Sequence, residues 1–82
     1  MTQQEQTISE VLARLLGRDP IQMTPSTSLQ DQLGIDSTEM VDIVCALEQV
    51  FKIKLPDEAE RSAKTIADLG RIVTAHQVQS AA

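Results

Sequence analysis

Apolar side chains recur every three or four residues in three stretches of the chain, which is the spacing of a helix with one buried face. The first stretch, Thr2 to Leu16, predicts a helix with the apolar face Ile8, Val11, Leu12, Leu15 and Leu16. Thr2 and Thr7 are each followed three residues later by a glutamate, so either can mark the start by the capping-box pattern. Gly17 is suited to the C-terminal stop.

The longest periodic segment is Ser37 to Phe51, which predicts a second helix. Its apolar face comprises Met40, Ile43, Val44, Leu47, Val50 and Phe51. Asp36 or Ser37 can cap its N-terminus, and Glu39 lies three residues after Asp36 as in a capping box. Two lysines follow the C-terminal end, where positive charge suits the helix dipole.

The third periodic stretch, Thr65 to Val78, predicts the last long helix. Thr65 suits the N-cap position, with Asp68 in the first turn. The apolar face comprises Ile66, Leu69, Ile72 and Val73. Gln77 to Ala82 is predicted to be a frayed tail.

A long connection, Arg18 to Ile35, joins the first two helices and is rich in Pro, Ser and Thr. A connection of this length is usually functional or packed down by its own side chains. The residues that can anchor it on the core are Ile21, Met23, Leu29, Leu33 and Ile35. Ser28 to Gln32 is predicted as a helical turn. The alternative, a mobile linker between two domains, is discounted because neither flank is long enough to be a domain.

The second connection is short. Ile53 to Pro56 is predicted to be extended, because a proline disfavours helix at the residue before it. Asp57 to Arg61 then predicts a short third helix, with Asp57 and Glu60 at capping spacing.

Four helices, three long and one short, with no alternating strand pattern, predict an all-α four-helix bundle. The 82 residues make one domain, 1–82, with an ordered core over residues 3–78. Because so short a chain buries only about 60% of its extended surface, its core must be compact.

The composition excludes several function classes. A net charge of −5 and a single aromatic residue, Phe51, argue against nucleic-acid binding, which needs basic stripes and stacking rings. The polar N-terminus is unlike a signal peptide, and no apolar run approaches the ~18 residues of a membrane span. We therefore expect a soluble, cytoplasmic, monomeric protein.

The candidate catalytic residues are few. One cysteine, Cys45, and one histidine, His76, cannot form a disulfide framework or a zinc cluster within this chain. Cys45 is predicted to be a small side chain at the edge of the core. His76 is predicted to lie on the surface near the end of the last helix. No enzyme activity is expected.

The acidic residues are concentrated in one part of the chain. Between Ser28 and Glu60 there are eight acidic and two basic residues, a net charge of −6, while the remainder carries +1. Such a cluster is ordinarily a solvated face. The more specific interpretation is a docking face for basic partners, whose association it would accelerate at low salt.

Ser37 lies at the predicted start of the second helix, within this acidic region. A serine at such a position is ordinarily an N-cap. The same position also suits a covalently attached phosphate group, because the N-terminus of a helix favours negative charge by ~0.3–1 kcal/mol at an exposed site. We expect Gly34 to keep the approach to Ser37 open.

Leu33 to Ser37, with the sequence Leu-Gly-Ile-Asp-Ser, resembles the attachment motif of acyl carrier proteins. The segment Glu39 to Glu48 is similar to the helix that follows the motif in that family. Phe51, Ile53 to Asp57 and Thr65 to Leu69 resemble the end of that helix, the link after it and the start of the last helix. The resemblance therefore covers nearly the whole chain and implies a four-helix carrier domain.

The resemblance implies a 4′-phosphopantetheine arm on Ser37, transferred from coenzyme A by a phosphopantetheinyl transferase. The arm would carry an acyl group as a thioester between an acyl- or aminoacyl-loading ligase or transferase and downstream synthase enzymes with basic docking patches. The implied partner-recognition residues are Asp36, Thr38, Glu39, Val41, Asp42, Cys45 and Glu48.

One residue departs from the family pattern. The family usually has Leu directly after the serine, where this chain has Thr38. Thr38, Val41 and Cys45 then form a smaller and more polar contact strip, which suggests a dedicated fatty acid, polyketide or other secondary-metabolite pathway. Met40 is expected to reduce any space for cargo inside the bundle. The alternatives are an aminoacyl or peptidyl carrier, or an unmodified helical interaction module.

Overall fold

The computed structural model describes residues 2–81, except for the side chains of Ile21 and residues 78–81. The helices are α1 (Gln3–Leu16), α2 (Ser37–Phe51), α3 (Glu58–Ser62) and α4 (Ile66–Ala81), with a 3-10 turn at Pro20–Gln22. Residues 2–81 contain no β-strand, only one isolated bridge between Ser28 and Thr65. The predicted all-α bundle is confirmed. None of the helices in the described part of the chain is sufficiently long and apolar to cross a membrane.

The core is formed by one face of each long helix together with the two connections. Its fully buried large side chains are Ile8, Leu12, Leu29, Ile43, Leu47, Ile66, Leu69 and Val73. The predicted faces are therefore largely confirmed, with two errors. Leu15 is 49% exposed and Val50 is 47% exposed, because each lies at the edge of its helical stripe, beyond the reach of the neighbouring helices. Leu16, Phe51 and Ile72 are partly buried against the core.

Helix α1 begins and ends as its sequence indicates. Thr2 is the N-cap and forms the capping box with Glu5, so the alternative start at Thr7 is wrong. Gly17 ends the helix with a φ of 67°, in the left-handed region that glycine adopts at little cost.

Two helix boundaries differ from the prediction. The side chain of Asp57 makes no capping hydrogen bond, and α3 extends over Glu58–Ser62 instead of beginning at Asp57. Helix α4 continues to Ala81, beyond the predicted end at Val78, since no glycine or proline in that segment stops it. His76 is therefore not in the last turn. Its Nδ1 lies 2.8 Å from the carbonyl oxygen of Ile72. Ala82 lies outside the described residues.

The long connection is packed down, as predicted. Met23, Leu29, Leu33 and Ile35 are buried, whereas the side chain of Ile21 lies outside the described residues. The amide of Gln32 donates to the carbonyl oxygen of Ser28 at 3.2 Å, which confirms a helical turn there. The mobile-linker alternative is wrong.

Helices α1 and α4 approach closely at Gly70. A β-carbon added to this glycine would lie 2.9 Å from Cγ of Glu5, which is closer than van der Waals contact allows. Glycine at this position therefore leaves room for the stem of Glu5 to pack on α4.

Candidate functional site

Helix α2 begins with a capping box. Oδ1 of Asp36 accepts a hydrogen bond from the amide of Glu39 at 2.8 Å, and the amide of Asp36 donates to Oε1 of Glu39 at 3.3 Å. Asp36 is therefore the N-cap, and Ser37 is the first helical residue. The two sequence-based choices for the cap are settled in favour of Asp36.

The capping box leaves the two middle amides at the start of α2 without acceptors. Of the first four amides, those of Asp36 and Glu39 are used in the box, while those of Ser37 and Thr38 have no acceptor in the described part of the chain. The Ser37 hydroxyl is exposed and likewise has no hydrogen-bond partner among residues 2–81. An exposed hydroxyl beside two unused amide donors can accept a phosphate group in a favourable field.

Two backbone hydrogen bonds fix this helix start in place. The amide of Leu29 donates to the carbonyl oxygen of Lys64 at 2.9 Å, and the amide of Ile35 donates to the carbonyl oxygen of Leu29 at 3.0 Å. Because Leu29 and Ile35 are buried, the segment just before Asp36 is held against the start of α4. Sequence reasoning missed this connection, since neither hydrogen bond has a sequence signature.

Gly34 has a backbone role in addition to the one expected. A β-carbon at this position would meet nothing within 4 Å, so space is not what requires glycine. Its φ of 66° is in the left-handed region, which costs other residues ~1–2 kcal/mol. Gly34 therefore allows the chain to turn from the buried Leu33 to the buried Ile35, and so into the cap.

The four predicted acidic recognition residues occupy different environments. Asp36 and Asp42 are exposed, and Glu39 is half-buried. Glu48 is also half-buried, and its carboxylate accepts a hydrogen bond from the amide of Leu55 at 2.8 Å. Glu48 therefore secures the extended link after α2 in addition to any role in recognition.

Thr38, Val41 and Cys45 all lie on the solvent face of α2. Val41 is 42% exposed, and Thr38 and Cys45 are also exposed. The prediction that Cys45 lies at the core edge is wrong, because the core contacts of this helix are made by Met40, Val44 and their neighbours on the opposite face. The three side chains form a continuous strip beside the exposed carboxylate of Asp42.

In the described residues, no group of three or more His, Cys, Asp or Glu side chains could hold a metal ion. The structure thus brings together at one end of α2 an exposed hydroxyl, open amides, a mildly apolar strip and carboxylates. This arrangement suits covalent attachment and docking.

Comparison with known proteins identifies the family. Residues 6–73 match the family described as "Phosphopantetheine attachment site". The chain is also 39% identical over 62 residues to an acyl carrier protein of Syntrophobacter fumaroxidans, with 76% of each chain covered. The chain belongs to the acyl carrier protein family. Its fold is similar to the crystal structure of an acyl carrier protein from Thermotoga maritima, with a TM-score of 0.79, 21% identity and coverage of 98% and 99% of the two chains.

Members of the acyl carrier protein family are carriers, not enzymes, and their phosphopantetheine-binding domain holds 4′-phosphopantetheine covalently. The group is joined through a phosphodiester, so a fitting site needs an accessible hydroxyl and donors for phosphate oxygens. The start of α2 provides both, in the hydroxyl of Ser37 and the open amides of Ser37 and Thr38. The residues present therefore fit the cofactor.

Proposed function

We propose that Ser37 is the attachment point of 4′-phosphopantetheine and that the chain delivers acyl groups, held as thioesters on this arm, to partner enzymes. The proposal is supported most strongly by the Ser37 hydroxyl, which is exposed and makes no hydrogen bond within residues 2–81. It lies at a helix start that the backbone hydrogen bonds of Leu29 and Ile35 hold in place. A fixed attachment point on a rigid element lets the arm present its cargo at high effective concentration.

The transfer step uses coenzyme A as the donor and a phosphopantetheinyl transferase as the enzyme. Oγ of Ser37 attacks the β-phosphorus of the coenzyme A pyrophosphate, and the bond from that phosphorus to the bridging oxygen breaks. Adenosine 3′,5′-bisphosphate leaves, and the hydroxyl proton passes to a base of the transferase. The carrier supplies position and the field of its helix start, not a catalytic group.

The docking surface follows from the exposed face of α2. We propose that the carboxylates of Asp36, Glu39, Asp42 and Glu48 attract basic patches of the transferase, the loading ligase or transferase and the downstream synthases. Thr38, Val41 and Cys45 provide the apolar contact between them. Exposure of Asp36, Asp42 and the strip supports this assignment. Association should weaken with salt because the carboxylates of Asp36 and Asp42 are exposed.

Thr38 supports a dedicated role. With Thr in the position where the family usually has Leu, the strip offers less apolar area to a partner. We propose that this chain serves a dedicated fatty acid, polyketide or other secondary-metabolite pathway in the cytoplasm. Thr38→Leu should then improve acceptance by enzymes of general fatty acid synthesis, measured as kcat/KM. Equal acceptance of the two proteins would contradict the specialised role.

The attachment itself is tested by intact mass after incubation with coenzyme A and a broad-specificity transferase. The wild-type protein should gain one phosphopantetheinyl group and Ser37→Ala none. Ser26→Ala, which removes an exposed serine in the long connection, is the matched control and should be modified like the wild type. Modification of Ser37→Ala, or no gain by the wild type with several transferases, would contradict the proposal.

A further inference from the structure

A groove lies between the end of α1 and the first turns of α2. It has a volume of about 80 Å³ and is lined by Leu15, Leu16, Glu39, Asp42 and Ile43. We call it the α1–α2 groove. Leu15 is 49% exposed at its rim, although the periodicity of α1 assigns this residue to the core face. The structure therefore leaves an apolar side chain in solvent beside Glu39, two residues after Ser37.

The groove combines two kinds of chemistry. Leu15, Leu16 and Ile43 make it apolar on the α1 side and at its floor, whereas Glu39 and Asp42 contribute carboxylates from α2. A matching occupant is an apolar side chain flanked by lysine or arginine. Covering the exposed half of Leu15 would strengthen association roughly three- to tenfold, from the transfer free energy of apolar surface.

The position of the groove favours one partner. Glu39 and Asp42 follow Ser37 by two and five residues, which is roughly 3 to 8 Å along the helix axis. A standard interface covers ~800 Å² on each partner, a patch roughly 30 Å across. An enzyme that modifies the Ser37 hydroxyl must bring its reacting atoms to the helix itself, so a patch of that size centred on Ser37 includes the groove. Enzymes that act on the far end of the arm have no such constraint.

We propose that the α1–α2 groove is a docking site for the phosphopantetheinyl transferase, with Leu15 as a specificity-determining residue on α1. The groove receives an apolar side chain of the transferase, and basic residues beside that side chain pair with Glu39 and Asp42. This inference rests on the proposed attachment at Ser37. It extends the recognition surface from α2, where the sequence placed it, to the end of α1.

The test is steady-state kinetics of arm transfer from coenzyme A, with Leu15→Ser compared with Val50→Ser. Val50 is a matched control because it is 47% exposed and lies near the other end of α2, 13 residues after Ser37. Leu15→Ser should raise the KM for the carrier roughly three- to tenfold with kcat unchanged, by loss of the apolar contact. Val50→Ser should leave both constants unchanged.

A second pair of variants covers the possibility that Leu15→Ser does not fold. Leu15→Lys retains the aliphatic stem and helix propensity but places a cation where basic partner residues bind, so KM should rise further than in Leu15→Ser. Val50→Lys adds the same charge at the far end and should have little effect. Circular dichroism confirms folding of each variant.

The outcomes separate the two proposals. If both Leu15 variants are modified with the kinetics of their Val50 counterparts, the groove is not a docking site, whereas attachment at Ser37 stands. If the wild-type protein is not modified at all, the proposed function itself fails. A fall in kcat without a change in KM would also overturn the docking role.

Discussion

The starts of α2 and α4 both have a capping pair, but they differ in how many of their first backbone amides have acceptors. At the α4 start, Thr65 to Asp68, all four of the first amides have acceptors. The amides of Thr65 and Asp68 bond within the capping pair at 3.1 Å, while those of Ile66 and Ala67 donate to carbonyl oxygens of the long connection at 3.4 and 2.9 Å. At the α2 start, Asp36 to Glu39, only the two amides of the capping pair are used.

The long connection produces this difference. It contributes the carbonyl oxygens of Pro25 and Thr27 that close the α4 start, and then it crosses to α2 through Leu29 without covering Ser37. The long connection therefore supplies acceptors to the first amides of α4, and it positions the start of α2 while leaving Ser37 accessible. A closed start stabilises the fold, and an open one can accept a ligand.

An open start alone does not mark a functional site. Helix α1 also begins with a capping box, at Thr2 and Glu5, and the amides of Gln3 and Gln4 have no acceptor among the described residues. The α2 start differs from the α1 start in two ways. It has a serine in the first helical position, and the backbone hydrogen bonds of Leu29 and Ile35 hold it against the start of α4.

Leu29 links the starts of α2 and α4, so truncating its side chain should reduce stability more than any other substitution considered. Leu29→Ala should lower the free energy of unfolding by about 3 kcal/mol, since Leu29 is 1% exposed and a buried leucine leaves a cavity. Denaturant unfolding measures this. Leu15→Ala, at a half-exposed position, should cost less than about 1 kcal/mol. Equal costs would mean that the long connection does not support the fold.

The capping acids of the two starts give the next comparison. Oδ2 of Asp68 accepts the amides of Lys64 and Thr65 at 2.9 and 3.1 Å, and the carboxylate also pairs with Arg71. Asp68→Ala should therefore cost about 2 kcal/mol, whereas Glu39→Ala should cost about 0.5 kcal/mol because its one hydrogen bond is long and exposed. Thermal and denaturant unfolding of both variants would check this order. The opposite order would remove the distinction between closed and open starts.

The same acid predicts a pH dependence. The amide of Lys64 is the main cause that holds the pKa of Asp68 below its ordinary value of 3.8, with smaller contributions from Thr65 and the charge of Arg71 and an opposing one from burial. A carboxyl whose pKa is lowered on folding stabilises the protein above its ordinary pKa and loses that contribution as the pH falls through the folded value. The stability difference between wild type and Asp68→Ala should therefore be constant near neutrality and shrink below about pH 3.8. A difference that does not change down to pH 2 would contradict this assignment.

The two left-handed glycines give the smallest effect. Gly34→Ala and Gly17→Ala should each cost about 1 kcal/mol, because both residues have a φ near +66° with space for a β-carbon. Only Gly34→Ala should also slow modification of Ser37, since Gly34 directs the chain into the α2 cap. Unfolding free energies and transferase rates separate the two effects, and an equal rate for both variants would show that the turn does not position the serine.

The sequence predicts the parts of this molecule that depend on local signals. The bounds of α2 and most of the core faces follow from side-chain spacing and were predicted correctly. The capping boxes at Thr2 and Asp36 were each one of two starts that the sequence left open. The exposures of Leu15, Val50 and Cys45 were predicted wrongly. The width of the buried face of a helix depends on where the neighbouring helices lie, and the spacing of residues along one helix carries no information about that.

The site shows the same limit. The family was recognisable from the motif at residues 33–37 and the matching helices, and the position of Ser37 at the start of α2 followed from the same local spacing. The hydrogen bonds from Ile66 and Ala67 to the long connection, and from Leu29 to Lys64, join residues distant in sequence through backbone atoms that every residue possesses. No residue type marks such a bond in advance.

Two amides at the α2 start lack acceptors where the corresponding amides at the α4 start have them, and amide hydrogen exchange measured by NMR on the unmodified protein can detect this difference. The amides of Ser37 and Thr38 should exchange at least tenfold faster than those of Ile66 and Ala67, after correction for intrinsic rates, because only the latter pair must open before exchange. Equal protection of the two pairs would show that the two helix starts do not differ in this way.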